Sequence, residues 1–409
     1  MPESSRTEQT YRYELLRAAT AGVLESAGST FLLLIALRWY GAGASAKAFV
    51  AAGGSLGLLL SPLVVHWTTQ RGMKTSKAAS RILAFGALIF LVAAAWPILP
   101  VYVICSVAGM ASSAAIIPLL TQMYQENYPE KQRGRLFSRT VMIRIASAAA
   151  FSQFAGNALS GRLERFRWLL IIFGAALGFA SFCLRRCPTS PIPPDETAHP
   201  LRSLRFVRDD TLFRRTLICW MLMGFANLMM LPLRVEYLGN PKYHQHLAVA
   251  TIALLTGVIP NLARLVLSPV WGHLFDHMNF FALRVTLNIG FAVGILTFFM
   301  SNSMTGMILG AVVFGISNAG GDVAWSLWVT KFAPPDRVAD YMSIHTSLTG
   351  LRGVLAPMAG FYLVSRWSPE TLALISASLI VAATLLLLPE IKLGQRGRSK
   401  PALLEEVSD

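Results

Sequence analysis

Five charged side chains are the clearest cases of charge deep inside stretches of sequence that are otherwise apolar enough to cross a membrane. They are Glu25, Arg144, Arg264, Asp322 and Arg352. A charge at the centre of a transmembrane helix costs about 2.5–3.5 kcal/mol on insertion scales, so each must face a partner or water. Carboxylates and guanidinium groups in such places bind ionic solutes, relay protons or hold helices together. These residues are therefore the first candidates for a functional site.

Counting residues along each stretch gives the approximate depth of these charges. Asp322 and Arg352 fall at depths that permit an Asp322–Arg352 pair, either as a structural salt bridge or as part of a substrate site. Arg144 and Arg264 lie nearer the inner side and come from different halves of the chain. As two unpaired cations facing one cavity they predict an anionic substrate with a carboxylate or phosphate group. The alternative is that each pairs with backbone carbonyls or with an acid.

Glu25 falls near the middle of the first apolar stretch and has no partner on its own helix. A carboxylate at this depth can bind and release a proton, and Asp322 is the second candidate for this role. These two residues predict proton-coupled transport. The alternative is that Glu25 pairs with Arg144 and never titrates.

The composition is that of a membrane protein. Of 409 residues, 54% are hydrophobic and 14% are charged, whereas a soluble domain carries about 25% charged residues. The net charge of +15 is spread in short clusters between the apolar stretches, which excludes a nucleic-acid partner. The four cysteines form neither a disulfide framework nor a metal-binding pattern, so no metal or other cofactor is expected.

The apolar stretches predict an all-α membrane protein with twelve transmembrane helices. Each stretch is close to the length of about 20 residues that crosses the hydrocarbon core, where the backbone must satisfy its own hydrogen bonds. The predicted spans are 14–39, 46–68, 82–99, 101–122, 140–160, 167–186, 214–238, 246–271, 281–301, 304–330, 341–365 and 370–389.

The distribution of Lys and Arg predicts the orientation. Most of these residues fall on one side, which places both termini in the cytoplasm and the protein in the cytoplasmic membrane. No cleavable signal peptide is visible. The predicted organisation is a six-helix bundle over 1–186, a Pro-rich then basic cytoplasmic linker over 187–213, a second six-helix bundle over 214–389 and a cytoplasmic tail over 390–409.

Repeated motifs indicate that the two bundles arose by duplication. Ser61-Pro62 near the end of the second span is echoed by Ser268-Pro269 at the end of the eighth, and His66 then aligns with His273. The first span also aligns with the seventh without gaps, and the entry to the fifth aligns with the entry to the eleventh. The second copy continues into a charged turn that contains Gly272, Leu274, Asp276 and His277.

This turn, Gly-x-Leu-x-Asp-His, and the twelve-span topology resemble the major facilitator superfamily. The resemblance implies two bundles related by a pseudo-twofold axis and transport by alternating access. It also implies a central cavity lined by spans 1, 4, 7 and 10 with 2, 5, 8 and 11, the set that carries all five charges. Asn227 and Trp325 are added as polar and aromatic groups on cavity-lining spans, which gives the expected substrate site: Glu25, Arg144, Asn227, Arg264, Asp322, Trp325 and Arg352.

Gly272 and Asp276 are the expected inner gate. A glycine allows a neighbouring helix to approach closely, and an acid at the membrane edge can face the N-terminal end of a helix or an arginine. Such a contact can form in one conformation and break in the other. The first-half copy has Val65 and Thr69 in place of the glycine and the acid, which leaves its gating role open.

Several classes of function remain to be weighed. The sequence contains no phosphate-binding loop, no Ser/His/Asp set and no metal-ligand cluster, so an enzyme and an ATP-driven pump are disfavoured. We expect a secondary transporter of a small solute that acts as a monomer in the bilayer. The alternatives are a non-transporting sensor or assembly protein on the same fold and, among transporters, a multidrug exporter. The Ala-rich fifth span lacks the Gly-Pro signature of many family drug exporters, which disfavours drug export.

Overall fold

The computed structural model describes residues 3–191, 205–243, 245, 247–331 and 338–398. Twelve long helical segments account for most of the described residues. In chain order they are α1 (Glu3–Ser26, a π-helical turn Ala27–Phe31, then Leu32–Arg38), α2 (Ala44–Gln70), α3 (Thr75–Ala95), α4 (Leu99–Ala115 and Ile117–Asn127), α5 (Glu130–Leu159), α6 (Phe166–Arg185), α7 (Thr211–Gly239), α8 (Val249–Ala253, a π-helical turn Leu254–Val258, then Ile259–His277), α9 (Phe280–Met300), α10 (Met304–Leu327), α11 (Val338–Leu363) and α12 (Pro369–Arg398).

Ten of these helices are long and apolar enough to cross a membrane by length and composition, as judged over the described residues. The other two, α5 and α11, occupy corresponding positions in the two halves and carry Arg144 and Arg352. Their lower hydropathy follows from the charged and polar residues that they carry. Arg352 is only 9% exposed, so its helix does not present this charge to lipid.

The helices pack in two sets with the same pattern. In the first six, α1 packs on α5, α2 on α4 and α3 on α6; in the last six, α7 packs on α11, α8 on α10 and α9 on α12. The sets meet where α2 contacts α11 and α5 contacts α8, two contacts that a twofold rotation would exchange. The fold is therefore that expected from the sequence: an all-α membrane protein of two related six-helix bundles.

Several helices are longer than the apolar stretches that predicted them. The third predicted span, 82–99, is observed as Thr75–Ala95 because its polar start is buried against the residues after α6. There, Ser76 and Thr189 join their hydroxyl groups at 2.8 Å. Apolar runs mark the part of a helix in lipid, whereas the helix itself continues wherever polar groups find partners.

Part of the predicted linker lies outside the described residues. Its beginning is held against the first bundle, since the backbone N–H of Ser190 donates to Glu126 at the end of α4. Its basic end forms a short helix, Arg205–Asp209, before α7. The predicted tail is described only as far as residue 398, within α12.

Small residues allow the two halves to touch closely. A Cβ atom built on Gly350 of α11 would lie 2.6 Å from the backbone nitrogen of Leu59 on α2. A Cβ atom on Gly257 of α8 would lie 2.7 Å from Cβ of Ser152 on α5. Neither position accepts a larger side chain unless the helices separate, as is typical of membrane helix interfaces.

The halves are fastened at one end of the molecule. The hydrogen bonds between halves that involve described residues all lie between mid-depth and the end opposite the termini. At the end near the termini, Asp276 is exposed and a Cβ atom on Gly272 would meet nothing within 4 Å. The structure is therefore closed at the far end, with no cross-half hydrogen bond or ion pair between described residues at the near end.

The close approach at Gly350 predicts the effect of a bulky residue there. Gly350→Leu should weaken the α2–α11 contact by about 1–3 kcal/mol, because a side chain must be forced against a backbone atom. A cysteine introduced at Ser55, which faces Gly353 across this contact, should then react faster with a maleimide. The four natural cysteines are buried and should give little background.

Gly54→Leu is the matched control, because a Cβ atom at Gly54 on α2 meets nothing within 4 Å. It should leave the labelling rate of the Ser55→Cys protein unchanged. Equal labelling rates in the two leucine variants would contradict a tight α2–α11 contact.

Candidate functional site

Four charged side chains form a chain that crosses the boundary between the halves. Glu25 of α1 lies between two arginines: its Oε2 is 3.1 Å from Nε of Arg144 on α5, and its Oε1 accepts a hydrogen bond from Nη1 of Arg264 on α8. Arg264 also donates from Nε to Oδ2 of Asp322 on α10, at 2.5 Å. The charges alternate in sign and cancel. The chain of Arg144, Glu25, Arg264 and Asp322 is named the charge network below.

The members of the charge network differ in their access to solvent. The side chain of Arg264 is only 6% exposed, whereas those of Glu25, Arg144 and Asp322 are 26%, 35% and 37% exposed. A buried guanidinium group is stable here because two carboxylates compensate its charge. The outer members remain open to the space between the helices. They are the groups that water, a proton or a bound solute can reach.

Two π-helical turns bring the network together. The turn Ala27–Phe31 begins two residues after Glu25, and the turn Leu254–Val258 ends six residues before Arg264. The turns touch, since Thr30 and Thr256 join their buried hydroxyl groups at 2.9 Å. A π turn shifts the face that a helix presents beyond it, and such turns occur frequently at functional sites. Both halves therefore depart from regular α-helix where the charges meet.

Arg144 is held less firmly than Arg264. Its Nε atom lies 3.1 Å from Glu25, yet the N–H group is not directed to make a hydrogen bond with a described residue. The contact is therefore mainly electrostatic. Because its side chain is also more than one-third exposed, the guanidinium group of Arg144 is the accessible cation of the network.

Two sequence predictions about pairing were wrong. Arg144 and Arg264 are not unpaired cations, because both contact Glu25. Asp322 pairs with Arg264, and no Asp322–Arg352 ion pair is formed among the described residues. The alternative in which Glu25 pairs with Arg144 is observed, with Arg264 as an additional partner that the sequence did not indicate.

Arg352 lies apart from the charge network. Its Nη1 group donates to the backbone carbonyl of Trp220 on α7, and its guanidinium group packs directly against Gly224. Any larger residue at Gly224 would occupy the space of this group. Arg352 therefore faces α7 within the second half.

Asn227 and Trp325 are likewise placed within the second half. Asn227 of α7 lines a small cavity of about 10 Å³ together with Arg234 and Phe314. The Trp325 ring lies 5.6 Å from the ring of His345 on α11. Neither residue contacts the charge network through a hydrogen bond between described residues. Their expected role in substrate binding stays a prediction.

The expected inner gate is not engaged in this conformation. No described residue lies within 4 Å of a Cβ atom built on Gly272, and Asp276 is exposed at the end of α8. The predicted close helix approach at Gly272 is therefore not made by the described residues in this conformation. Gating by these two residues stays a prediction for a conformation in which the near end is closed.

Two groups of residues at the closed end were not predicted as functional. Lys47 of α2 donates to Glu236 of α7 at 2.6 Å, and both side chains are buried. Arg38 at the end of α1 donates to the carbonyls of Gly239 and Leu247 in the other half, at 2.9 and 2.6 Å. The sequence shows Lys47 and Arg38 as ordinary charges at the outer ends of spans. Glu236, an acid inside the seventh predicted span, was the feature of the sequence that could have indicated this group.

A metal centre finds no support in the part of the chain that the structure describes, where no three His, Cys, Asp or Glu side chains are grouped to hold a metal ion. Within the charge network and at the closed end, the acids are instead engaged with arginines or a lysine. The chemistry available at the site is therefore ion pairing, hydrogen bonding and proton exchange.

Comparisons with known proteins assign the fold. Residues 237–405 match the sequence model of the Major Facilitator Superfamily. No curated protein matches the sequence significantly. Among solved structures, a variant of the nucleoside transporter NupG is similar with a TM-score of 0.75 at 11% identity, covering 93% of this chain and 99% of that one.

Two further transporters show the same likeness. A POT family transporter in complex with a conjugated peptide has a TM-score of 0.71 at 10% identity, covering 95% of this chain and 96% of its own. A D-xylose-proton symporter has a TM-score of 0.68 at 17% identity, covering 94% and 96%. Residues 237–405 therefore match the major facilitator superfamily in sequence, and the chain shares the fold of these transporters, with no subfamily assigned.

The charge network predicts a specific pattern of destabilisation. Arg264→Met should lower the free energy of unfolding by up to about 3 kcal/mol, because it leaves Glu25 and Asp322 without their shared cation. Adding Asp322→Asn to this variant should restore part of the loss. Thermal unfolding of the purified protein in detergent measures both effects.

Arg162→Met serves as the control, because Arg162 is exposed and makes no ion pair with a described residue. It should change stability by about 0.5 kcal/mol or less. If Arg264→Met were as stable as this control, the network would contribute nothing to holding the halves in this conformation.

Proposed function

We propose that the protein is a secondary transporter that moves a small solute by alternating access. The observation that carries the proposal is the charge network, in which Arg264 of the second half holds Glu25 of the first. Separating the halves at this level breaks a neutral arrangement, so the charges exposed must be compensated by a solute, a proton or water. An interface of this kind couples solute binding to movement of the halves.

The conformation is one end of such a cycle. The protein is proposed to lie in the cytoplasmic membrane. The uneven distribution of Lys and Arg between its two sides supports placing both termini in the cytoplasm. With that placement, the closed end faces outward and the protein is inward-facing. Both halves belong to one chain, which is consistent with a monomer as the transporting unit.

The Lys47–Glu236 pair is proposed as the outer latch. It joins α2 of the first half to α7 of the second within a buried environment, with the Lys47 ammonium also 5.3 Å from the Phe361 ring. A buried ion pair is costly to break if one partner is left alone. Opening the outer end therefore requires water to enter and solvate both groups.

The substrate is proposed to be a small organic anion. Arg144 is the accessible cation of the network, and a carboxylate or phosphate can compete with Glu25 for it. Protonation of Glu25 would weaken its hold on both arginines and so favour that exchange. Asp322, the more exposed acid, is the second proposed proton carrier. Coupling to protons and an anionic substrate are thus parts of one mechanism.

Flux measurements in proteoliposomes test this function. A panel of small carboxylates, phosphate esters, neutral sugars and nucleosides would be offered with and without an imposed pH gradient. Transport of an anion that is accelerated by the gradient supports the proposal. Transport confined to neutral solutes would contradict the anionic assignment and leave alternating access standing. Absence of flux for every compound would favour the non-transporting alternative.

Glu25→Gln tests proton coupling directly. The amide cannot carry a proton or a negative charge, so we expect accumulation driven by the pH gradient to be lost. Exchange of labelled for unlabelled solute across the membrane should persist, because exchange needs no net proton movement. Arg162→Met is the control for expression and reconstitution. Gradient-driven accumulation equal to that of the natural protein would remove Glu25 from the coupling step.

Lys47→Met tests the outer latch. We expect it to favour opening of the outer end by about 3 kcal/mol, because Glu236 is left buried without its cation and keeps only the hydrogen bond from Asn240. A cysteine at Thr256 should then be labelled faster by an impermeant thiol reagent added outside intact cells. The reversed pair, Lys47→Glu with Glu236→Lys, should return labelling towards the original rate. A reversed pair that labels as fast as Lys47→Met would show that the ion pair is not the latch.

A further inference from the structure

Three basic side chains surround one tryptophan inside the second half. The Arg284 guanidinium carbon of α9 lies 3.6 Å from the centre of the Trp220 ring. The His345 ring lies 5.3 Å from the same ring, and Arg352 donates to the Trp220 carbonyl. Trp220, Arg284, His345 and Arg352 are named the Trp220 cluster. It joins α7, α9 and α11.

The cluster is buried and its donors are not used. Exposure is 3% for Trp220, 1% for Arg284, 0% for His345 and 9% for Arg352. Nη1 and Nη2 of Arg284, Nε of Arg352 and Nε1 of Trp220 have no hydrogen-bond partner among the described residues, and neither does either ring nitrogen of His345. Unpaired buried donors are rare because each loses its hydrogen bonds to water without replacement.

The cluster is also unbalanced in charge. The positive charge of Arg352 acts on both Arg284 and His345, and no ion pair between described residues brings a carboxylate to either arginine. The indole face offsets part of the charge of Arg284, since a cation over an aromatic ring is stabilised. Two buried arginines therefore remain without a paired acid among the described residues, whereas Arg264 in the charge network is matched by two. The missing component is a negative charge.

We propose that Arg284, Arg352 and the Trp220 indole N–H, brought together around Trp220, bind a small inorganic anion of the halide type. Guanidinium and indole N–H groups are strong donors that suit such an anion, and its charge offsets the two arginines. The occupant is small and dehydrated because every member of the cluster is nine-tenths or more buried. The anion ties α7, α9 and α11 together within one half. This site is separate from the charge network between the halves and does not depend on transport.

Thermal unfolding of the purified protein at constant ionic strength tests the proposal. Sodium gluconate is replaced stepwise by sodium chloride or sodium bromide, and the unfolding midpoint is followed. We expect a saturable rise with halide, because a ligand that binds the folded state stabilises it. Arg284→Met and Arg352→Met should each weaken the apparent halide affinity by at least about tenfold. Hydrogen exchange should report the added protection in α7, α9 and α11.

Arg234→Met is the matched control. Arg234 is also buried on α7, lies 3.9 Å from the Phe314 ring and has unpartnered Nε and Nη1 groups among the described residues, yet it is outside the cluster. Its halide response should equal that of the natural protein. A midpoint that does not depend on halide overturns the proposal. A halide dependence that persists in both Arg284→Met and Arg352→Met also overturns it. A halide dependence that is lost only in Arg234→Met does so as well. If one cluster variant does not fold, the halide response of the other variant decides. Bromide anomalous scattering from crystals of the natural protein is then the second measurement.

Discussion

The contact of Arg264 with two carboxylates from different halves is the interaction on which the rest of this structure depends. Burying a guanidinium group that is only 6% exposed near the centre of a membrane protein is costly unless acids lie beside it. Glu25 supplies one from the first half and Asp322 supplies the other from the second. Arg264 therefore contacts its own half through Asp322 and the other half through Glu25. In the proposed mechanism, the contact that is exchanged is the one across the interface.

The closed end shows a second way in which the same interface is held. Gly257 and Gly350 let helices of opposite halves approach closely, and Lys47 and Glu236 neutralise each other inside the interface. Dispersion between closely packed small residues is lost quickly as helices separate, whereas the ion pair requires water before it can open. The two contributions together make closure a discrete state. The adjoining π turns, linked through their threonine hydroxyl groups, place that closure next to the charge network.

The sequence predicted the fold far better than the site. Apolar length and the requirement for internal hydrogen bonds are enough to place twelve helices, and a charge in an apolar stretch is visible in one dimension. The pairing of these charges is not visible in the sequence, because residue counting gives the depth of a side chain but not its direction around the helix. Asp322 and Arg352 have compatible depths, yet Arg352 points at Trp220 because Gly224 leaves room there. Arg284 lies near the start of the predicted span 281–301, and nothing in its sequence position indicates that it is only 1% exposed.

The two halves share one pattern of helix packing, but their charged residues are distributed differently. Helix packing follows the same pattern in both halves, with α1 on α5 matched by α7 on α11. The acids and bases do not follow it, since Glu25 of α1 aligns with Met223 of α7, which carries no charge. The second half holds Arg264 with Asp322, and in addition the Trp220 cluster, to which no described carboxylate is paired. A duplicated scaffold supplies two matching bodies that can rock. In the proposed mechanism, the chemistry that couples their motion to a solute comes from charged residues, such as Glu25, that the other copy does not share.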